Sequence, residues 1–309
     1  MVEADRQQPD RACDDLPVAH HGPGSDAVDA QDGDLGCVEQ RSRKQPAEAA
    51  RIGDRERPAP QVRRRQRPGA GPDEPFDLDR ELLPDGAGRM SGEEAIVWWA
   101  RVDGARADRF EALLSPDERA RASAFRFERD RLRFVIARGL LHTLLGAQLG
   151  ADPKRVELAL GGHGKPRLTD DDAGLRFNLS HSHGVVALAF CERREIGVDV
   201  ERVRPDLVVD EIARRYLSPR AVQEIERLGE EERVGEFFRA WVRLEAYVKG
   251  RGGGLGLLKE RREPDGWSIV DLDLLDGYAA AIAIEGDAPA RVSTRQVRLE
   301  ALGTPSGRP

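Results

Sequence analysis

Aromatic residues make up 5% of the 309-residue chain, which also has only 3 cysteines, 2 methionines and a lone asparagine, Asn178. Each scarcity excludes something. Cys13, Cys37 and Cys191 are odd in number and share no metal-ligand spacing. Neither a disulfide framework nor a cysteine–zinc module is expected, and the default compartment is reducing. No apolar run approaches the roughly 20 residues of a membrane-spanning helix, and the N-terminus lacks the apolar core of a secretion signal. A basic excess is missing as well. The chain is 34% charged but carries a net charge of -7, which withholds the cationic face that nonspecific nucleic-acid binding uses. We therefore expect a soluble cytoplasmic protein with no membrane or nucleic-acid partner, long enough for one large or two modest domains.

Residues 1–89 lack any persistent helical or strand period and hold one aromatic, Phe76. They are crowded with Arg, Asp, Pro, Gly, Ala and Gln, a composition that cannot bury enough apolar surface to offset the entropy of ordering. We expect a disordered or spurious N-terminal extension, with Met90 as the true start. The run Arg63, Arg64, Arg65 and Arg67 is a solvated charge run or, alternatively, a nucleic-acid arm.

Periodicity appears after Met90. Residues 95–102 read as a strand containing Trp98 and Trp99. Ser115-Pro116-Asp117-Glu118 is a capping box with proline in the first turn, opening a helical stretch to about residue 149 with a break near Phe127. Short strands are predicted at 156–160, 175–179, 185–191 and 195–201, with a loop at 161–166. Helix is predicted from 207 to 249 with a restart at Ser218-Pro219. Strands follow at 267–272, 278–284 and 291–299. Val186-Ala187-Leu188-Ala189-Phe190 is echoed by Ala280-Ala281-Ile282-Ala283-Ile284, each after a long helical region and a glycine turn. Helices in blocks and strands outside strict alternation indicate an α+β fold. The echo suggests two similar halves, 90–193 and 194–309, with chance recurrence of a common alternating Ala/Val strand as the alternative.

Two short acidic segments carry the chemistry. In Ile196-Gly197-Val198-Asp199-Val200-Glu201 apolar and acidic residues alternate, so a strand places Asp199 and Glu201 on one face. In Trp241-Val242-Arg243-Leu244-Glu245-Ala246-Tyr247-Val248-Lys249, a helix aligns Trp241, Glu245 and Lys249. Converging carboxylates beside a lysine suit a hard cation and a phosphate-bearing ligand. Taken singly, each has a plainer account: an exposed edge strand, a surface ion pair, a core tryptophan.

Phe177-Asn178-Leu179-Ser180-His181-Ser182 sits at the predicted end of a strand. A generic turn in this chain would draw on Asp, Ser or Gly rather than its single asparagine. Ser180 and His181 offer a hydroxyl and an imidazole to phosphate oxygens, although a polar strand terminus would look the same. As a nucleophile–base pair they are badly placed, because neighbours on a strand point to opposite faces. Gly161-Gly162-His163-Gly164-Lys165-Pro166 is glycine-rich without P-loop spacing. Arg119, Arg121, Arg126, Arg129, Arg131, Arg133 and Arg138 load the first long helical region, as a solvated face or as phosphate forks.

Taken in order, these segments resemble the 4′-phosphopantetheinyl transferases, and most closely their larger monomeric, surfactin-synthetase-activating class. The shared elements are Gly-x-x-Gly-Lys-Pro at Gly161–Pro166, Asn-x-Ser-His-Ser at Asn178–Ser182, Gly-Val-Asp-Val-Glu at Gly197–Glu201, and the Trp241–Lys249 helix followed by Gly252-Gly253-Gly254-Leu255. Leu244 departs from the family's usual lysine, and His183 stands where glycine is frequent.

The resemblance implies two pseudo-twofold-related α+β subdomains acting as a monomer. It implies coenzyme A as co-substrate and an apo acyl or peptidyl carrier protein as acceptor. A Mg2+ ion on Asp199, Glu201 and Glu245 is implied as cofactor. Glu245 would take the proton of the carrier serine, and Lys249 would stabilise the departing phosphate. Arg121, Lys165, Asn178, Ser180 and His181 would hold coenzyme A. The alternative is an inactive relative that binds coenzyme A or a carrier protein without transfer. Which carrier is served is not written in the sequence.

Overall fold

A computed structural model of the chain describes residues 94–102, 107–161, 164–170, 174–253, 255–258, 261, 264–287 and 291–299. The expectations for residues 1–89 and Met90, and the sites of Gly162, His163 and Gly254, lie outside the described residues.

Strand β1 (Glu94–Arg101) is buried from Ala95 to Ala100, as an apolar run without polar alternation requires when both faces are covered. A single helical turn, α1 (Asp108–Glu111), precedes α2 (Pro116–Ser123). The capping box forms as predicted. Ser115 Oγ accepts the Glu118 N–H at 3.2 Å, and Glu118 Oε2 accepts the Ser115 N–H at 2.9 Å, satisfying two orphan donors of the first turn. The predicted break at Phe127 separates α2 from α3 (Glu128–Leu149), and α3 ends at Gly150 with φ 62, the left-handed close that glycine permits.

The hairpin of β2 (Leu158–Leu160) and β3 (Pro166–Leu168) frames the glycine-rich loop. Strands β4 (Leu175–Ser182), β5 (Val185–Glu192) and β6 (Ile196–Arg202) follow. The predicted helical block 207–249 is three helices: α4 (Asp210–Tyr216), α5 (Pro219–Glu226) and α6 (Glu230–Gly250). Ser218 caps α5 by accepting the Ala221 N–H. The turn α7 (Leu255–Leu258), then β7 (Trp267–Asp271), β8 (Tyr278–Glu285) and β9 (Arg291–Val297) are the remaining elements among the described residues.

The strands form a four-stranded sheet, β4-β5-β1-β9, a three-stranded sheet, β6-β8-β7, and the β2-β3 ribbon. The two larger sheets pack face to face through Ala95, Val97, Ala187, Ala189, Val198 and Ile282, among others. Helix α3 covers the outer side of the first sheet, and α6 the outer side of the second. The class is α+β, as expected from the blocks of helices. The echoed segments are β5 and β8, interior strands of their own sheets. The expected division at 193/194 separates the helices but not the sheets. Strand β9, from the second half, pairs parallel with β1, with Glu94 opposite Arg291 and Ala100 opposite Val297.

Candidate active site

The site forms where the edge strands of the two sheets meet. Strands β4 and β6 belong to separate sheets, yet alternate side chains of β4 bridge to β6. Asn178 Oδ1 accepts the Val198 N–H at 2.9 Å, and Ser180 Oγ donates to Asp199 Oδ1 at 2.8 Å. Ser182 Oγ donates to Glu201 Oε2 at 2.8 Å and accepts the Arg202 N–H at 3.2 Å. The two-residue period of a strand puts all three on one face. Here an amide oxygen and two hydroxyls replace the backbone acceptors and donors that an ordinary ladder would supply. The sequence pattern took the strand to end near Leu179. It runs on to Ser182 because its polar residues are buried against β6 rather than turned to solvent.

Helix α6 reaches the same seam through two glycines. A Cβ on Gly197 would collide with the Ala246 carbonyl and with Gly250, and one on Gly250 would strike the Trp267 ring. Only glycine allows this backbone-to-backbone approach, and it lays the last turns of α6 over β6. Lys249 Nζ then lies 2.6 Å from Asp199 Oδ1 and 3.1 Å from Ser180 Oγ. Asp199 is 1% exposed, and its other oxygen, Oδ2, has no hydrogen-bond partner among the described residues. Burial alone would lower the Lys249 ammonium, but Asp199, Glu245 and Glu201 outweigh it and hold it above the usual lysine range. Glu245 shares the field. Burial pushes its carboxyl up to about 7, Lys249 opposes that rise, and Asp199 adds to it. Among the described residues no three His, Cys, Asp or Glu side chains close into a single coordinating group; an ammonium stands against the carboxylates instead.

The other expected site residues separate by what they touch. Lys165 Nζ donates to Glu195 Oε2 at 2.7 Å, to the Ile196 carbonyl at 3.0 Å and to the Gly250 carbonyl at 2.8 Å. These are the three bonds an ammonium can make. It ties the glycine-rich loop to the start of β6 and the C-terminal end of α6. Burial depresses this ammonium despite Glu195. Arg121 lies over the Phe134 ring at 5.2 Å. His181 is half-buried, on the face of β4 opposite the bridging residues. Trp241 is core, stacked on Phe237 and edge-on to Tyr216. Leu244 is buried in the packing of α6 and lines a separate cavity beside α5. The position where the family usually has lysine is thus a packing position here, away from the Asp199–Lys249 seam. His183 has φ 48, which accounts for glycine being the easier residue at that position.

Several contributors were not read from the sequence. Ser182, Gly197 and Gly250 build the seam, and the two-residue spacing Asn178, Ser180, Ser182 was the signal for the first. Glu118 Oε2 meets His142 Nε2 at 2.9 Å, with Arg138 Nε 3.7 Å from the other oxygen, locking α2 to α3. A cavity of about 540 Å³ adjoins the Lys165 clamp, lined by Gly161, Arg167, Arg176, Phe177, Arg251 and Trp267 among others.

Residues 195–298 match the family model described as the 4′-phosphopantetheinyl transferase superfamily, and residues 105–193 match 4′-phosphopantetheinyl transferase, N-terminal. The chain is 38% identical over 189 residues to the 4′-phosphopantetheinyl transferase HetI of Nostoc sp., covering 57% of this chain and 80% of that protein. It is 31% identical over 237 residues to a phosphopantetheinyl transferase of Thraustochytrium sp., covering 65% and 82%. Similarity to the 4′-phosphopantetheinyl transferase AcpT of Escherichia coli K12 is 32% over 144 residues, 46% of this chain and 64% of that one.

Proposed function

Because the chain belongs to the 4′-phosphopantetheinyl transferase superfamily, we propose that its Asp199–Glu245–Lys249 cluster transfers 4′-phosphopantetheine from coenzyme A to a serine of an apo acyl or peptidyl carrier protein. The observation that carries this reading is the meeting of Asp199, Glu245 and Lys249 across the seam, with Asp199 Oδ2 buried and unpartnered among the described residues.

The resemblance implies Mg2+ on Asp199, Glu201 and Glu245, where it would spread the charge of the pyrophosphate; among the described residues these carboxylates do not close into one coordinating group, and the Lys249 ammonium stands against Asp199. The protein's own groups do the rest. Glu245 accepts the proton of the carrier serine as the serine oxygen bonds to the β-phosphorus. The bond from that phosphorus to the bridging oxygen breaks, and adenosine 3′,5′-bisphosphate leaves. Lys249, held charged by its carboxylate neighbours, faces the departing oxygen as a fixed positive charge. By resemblance Arg121 and His181 hold the 3′-phosphate end of coenzyme A, and the cavity beside Lys165, lined by Arg167, Arg176 and Arg251, offers further cationic groups to the nucleotide. Lys165 shapes that cavity as a clamp, and Asn178 and Ser180 act from behind the carboxylates. The arginines around α2 and the start of α3 steer an acidic carrier. The protein works in the cytoplasm as a monomer, without nucleic acid or membrane. Among the described residues no helix is long and apolar enough to cross a membrane.

The test is incubation with coenzyme A, Mg2+ and a panel of apo-carriers, read by intact mass. One carrier gaining a phosphopantetheine group, and losing that gain when EDTA is added, is the expected result. Coenzyme A binding with no mass gain across the panel favours the inactive relative.

A further inference from the structure

We propose that Phe127, with the Arg126 and Arg129 guanidiniums stacked on its ring, is a docking anchor for the acceptor: an acidic carrier protein that sets an apolar side chain on the ring and carboxylates against the two arginines. This deepens the transferase reading and rests on it, because that reading requires such an acceptor. The patch lies at the break between α2 and α3, and none of its residues belongs to the Asp199–Lys249 seam.

Phe127 precedes α3 in an extended conformation, φ -110 and ψ 134. Its neighbour Phe125 turns inward and packs 5.4 Å from the Phe134 ring, whereas Phe127 stays 42% exposed. A single exposed apolar side chain is ordinary on a folded protein. What sets this ring apart is its cations. Arg126 and Arg129 lie over it at 5.2 Å and 5.3 Å, measured from guanidinium carbon to ring centroid, within the reach of cation–π attraction. A stacked guanidinium keeps its N–H donors in its own plane, where they can fork onto a carboxylate. Two stacked cations also hold the ring in place, so less side-chain freedom is lost when a partner covers it.

The charges of this surface divide so that these two arginines are left to a partner. Glu128, between them in sequence, is engaged elsewhere: Arg131 bonds both of its oxygens at 2.8 Å and also reaches Glu111 at 3.2 Å. Asp130 pairs with Arg133 at 3.3 Å and stands 3.8 Å from Arg129 Nε, beyond a hydrogen bond. Arg129 Nε meets no hydrogen-bond partner among the described residues, and Arg126 forms no ion pair among them. The patch thus joins an apolar surface to cationic charge that the fold itself does not neutralise. An acidic, amphipathic protein surface complements both parts. Aromatic residues and arginine are the types enriched at the centres of protein interfaces, and arginine is prominent among those that dominate binding. A phosphate ligand would use the guanidiniums and leave the ring bare.

The experiment uses the full chain and the apo-carrier panel. Initial rates give the KM for carrier and for coenzyme A. Binding is read by fluorescence anisotropy of labelled carriers whose acceptor serine is changed to alanine, so that transfer cannot proceed. Phe127→Ala should raise the carrier KM and dissociation constant about 10-fold and leave the KM for coenzyme A unchanged. Arg126→Glu should act in the same direction and flatten the salt dependence of binding. Phe127→Trp, which keeps an aromatic face for the two guanidiniums, should retain most of the affinity. If Phe127→Ala does not fold, Arg126→Glu, at an exposed side chain without an ion pair among the described residues, gives the same reading. Carrier KM and affinity unchanged in both variants overturn the proposal, as does a wild-type protein that binds no carrier of the panel. A raised KM for coenzyme A with carrier affinity intact overturns it too, and assigns the guanidiniums to a phosphate of coenzyme A. Carrier binding that depends on Phe127, without mass gain in any carrier, sinks the transferase reading and leaves the docking anchor standing.

Discussion

Asp199 combines near-complete burial with an oxygen that meets no hydrogen-bond partner among the described residues. A buried carboxylate is stable only when paired, and Lys249 supplies the pair at 2.6 Å. Asp199→Asn keeps the shape but removes the ammonium's nearest counter-charge, leaving only Glu245 and Glu201 nearby. It should abolish transfer and destabilise the fold by about 3 kcal/mol, the scale of breaking an enclosed ion pair. Glu245→Gln should abolish transfer equally but leave the metal-free protein as stable or more so, because burial already disfavours the Glu245 carboxylate. Thermal melts and carrier mass gain on the two variants check this, and a Gln variant with near-normal turnover would remove Glu245 from the mechanism. The chemical types were legible: alternation in 196–201 and the four-residue step to Lys249 set the carboxylates and the lysine on matching faces. Leu244 was not, because a helix position one residue from Glu245 points about 100° away. Leu244→Lys should therefore cost about 2 kcal/mol of lost apolar burial and give no gain in turnover, read by melting temperature and by initial rate at saturating coenzyme A.

At the scale of elements, the Ser115–Glu118 capping box was plain in the sequence, and its second function was not. Glu118 closes the box and also reaches His142 and Arg138 on α3, a contact between residues too distant along the chain for local pattern to reveal. Burial by itself would raise this carboxyl, but the hydrogen bond and charge of His142, the Ser115 N–H and Arg138 outweigh it and hold Glu118 below the usual carboxylate range. The sign follows. A depressed folded pKa adds stability that is fully present above the ordinary glutamate value of about 4.3 and is lost as pH falls through the folded value. Glu118→Gln should thus be less stable than wild type at neutral pH, with the gap closing as urea melts are repeated below about pH 4. A gap that stays constant with pH would assign the stabilisation to packing alone. The short elements α1, α7 and β3 left no pattern in the sequence because so few positions carry no period, whereas β2, equally short, falls inside the strand expected at 156–160. Strand β4 was cut short for another reason: its buried seryl side chains look like solvent-facing ones until β6 is set beside them.

For the whole molecule, the layer order is helix, sheet, sheet, helix, with the two sheets sharing the apolar cluster between them. The helices, the hairpins and the α+β class were readable from local signals. Which sheet the last strand joins was not. Its exposure pattern is that of a half-covered strand, and its partner, β1, is the first strand of the described chain. In place it lies parallel along β1, puts Val297 into the core under α3, and lays the Arg295 guanidinium over the Trp98 ring at 5.2 Å. A parallel pair formed between such distant segments closes a long loop at an entropic cost that grows only slowly with its length. Without it β1 becomes an exposed edge of the first sheet. Ending the chain before Arg291 removes no residue of the proposed site, yet it should lower the melting temperature by several degrees. Because the inter-sheet core belongs to both halves, melting should remain a single transition, with the Asp199–Lys249 seam lost together with β1. Calorimetry and hydrogen exchange on the β1 and β6 amides decide it. Two separate transitions, with β6 protected after β1 has opened, would mean that the halves fold independently and that the seam between them is only a contact.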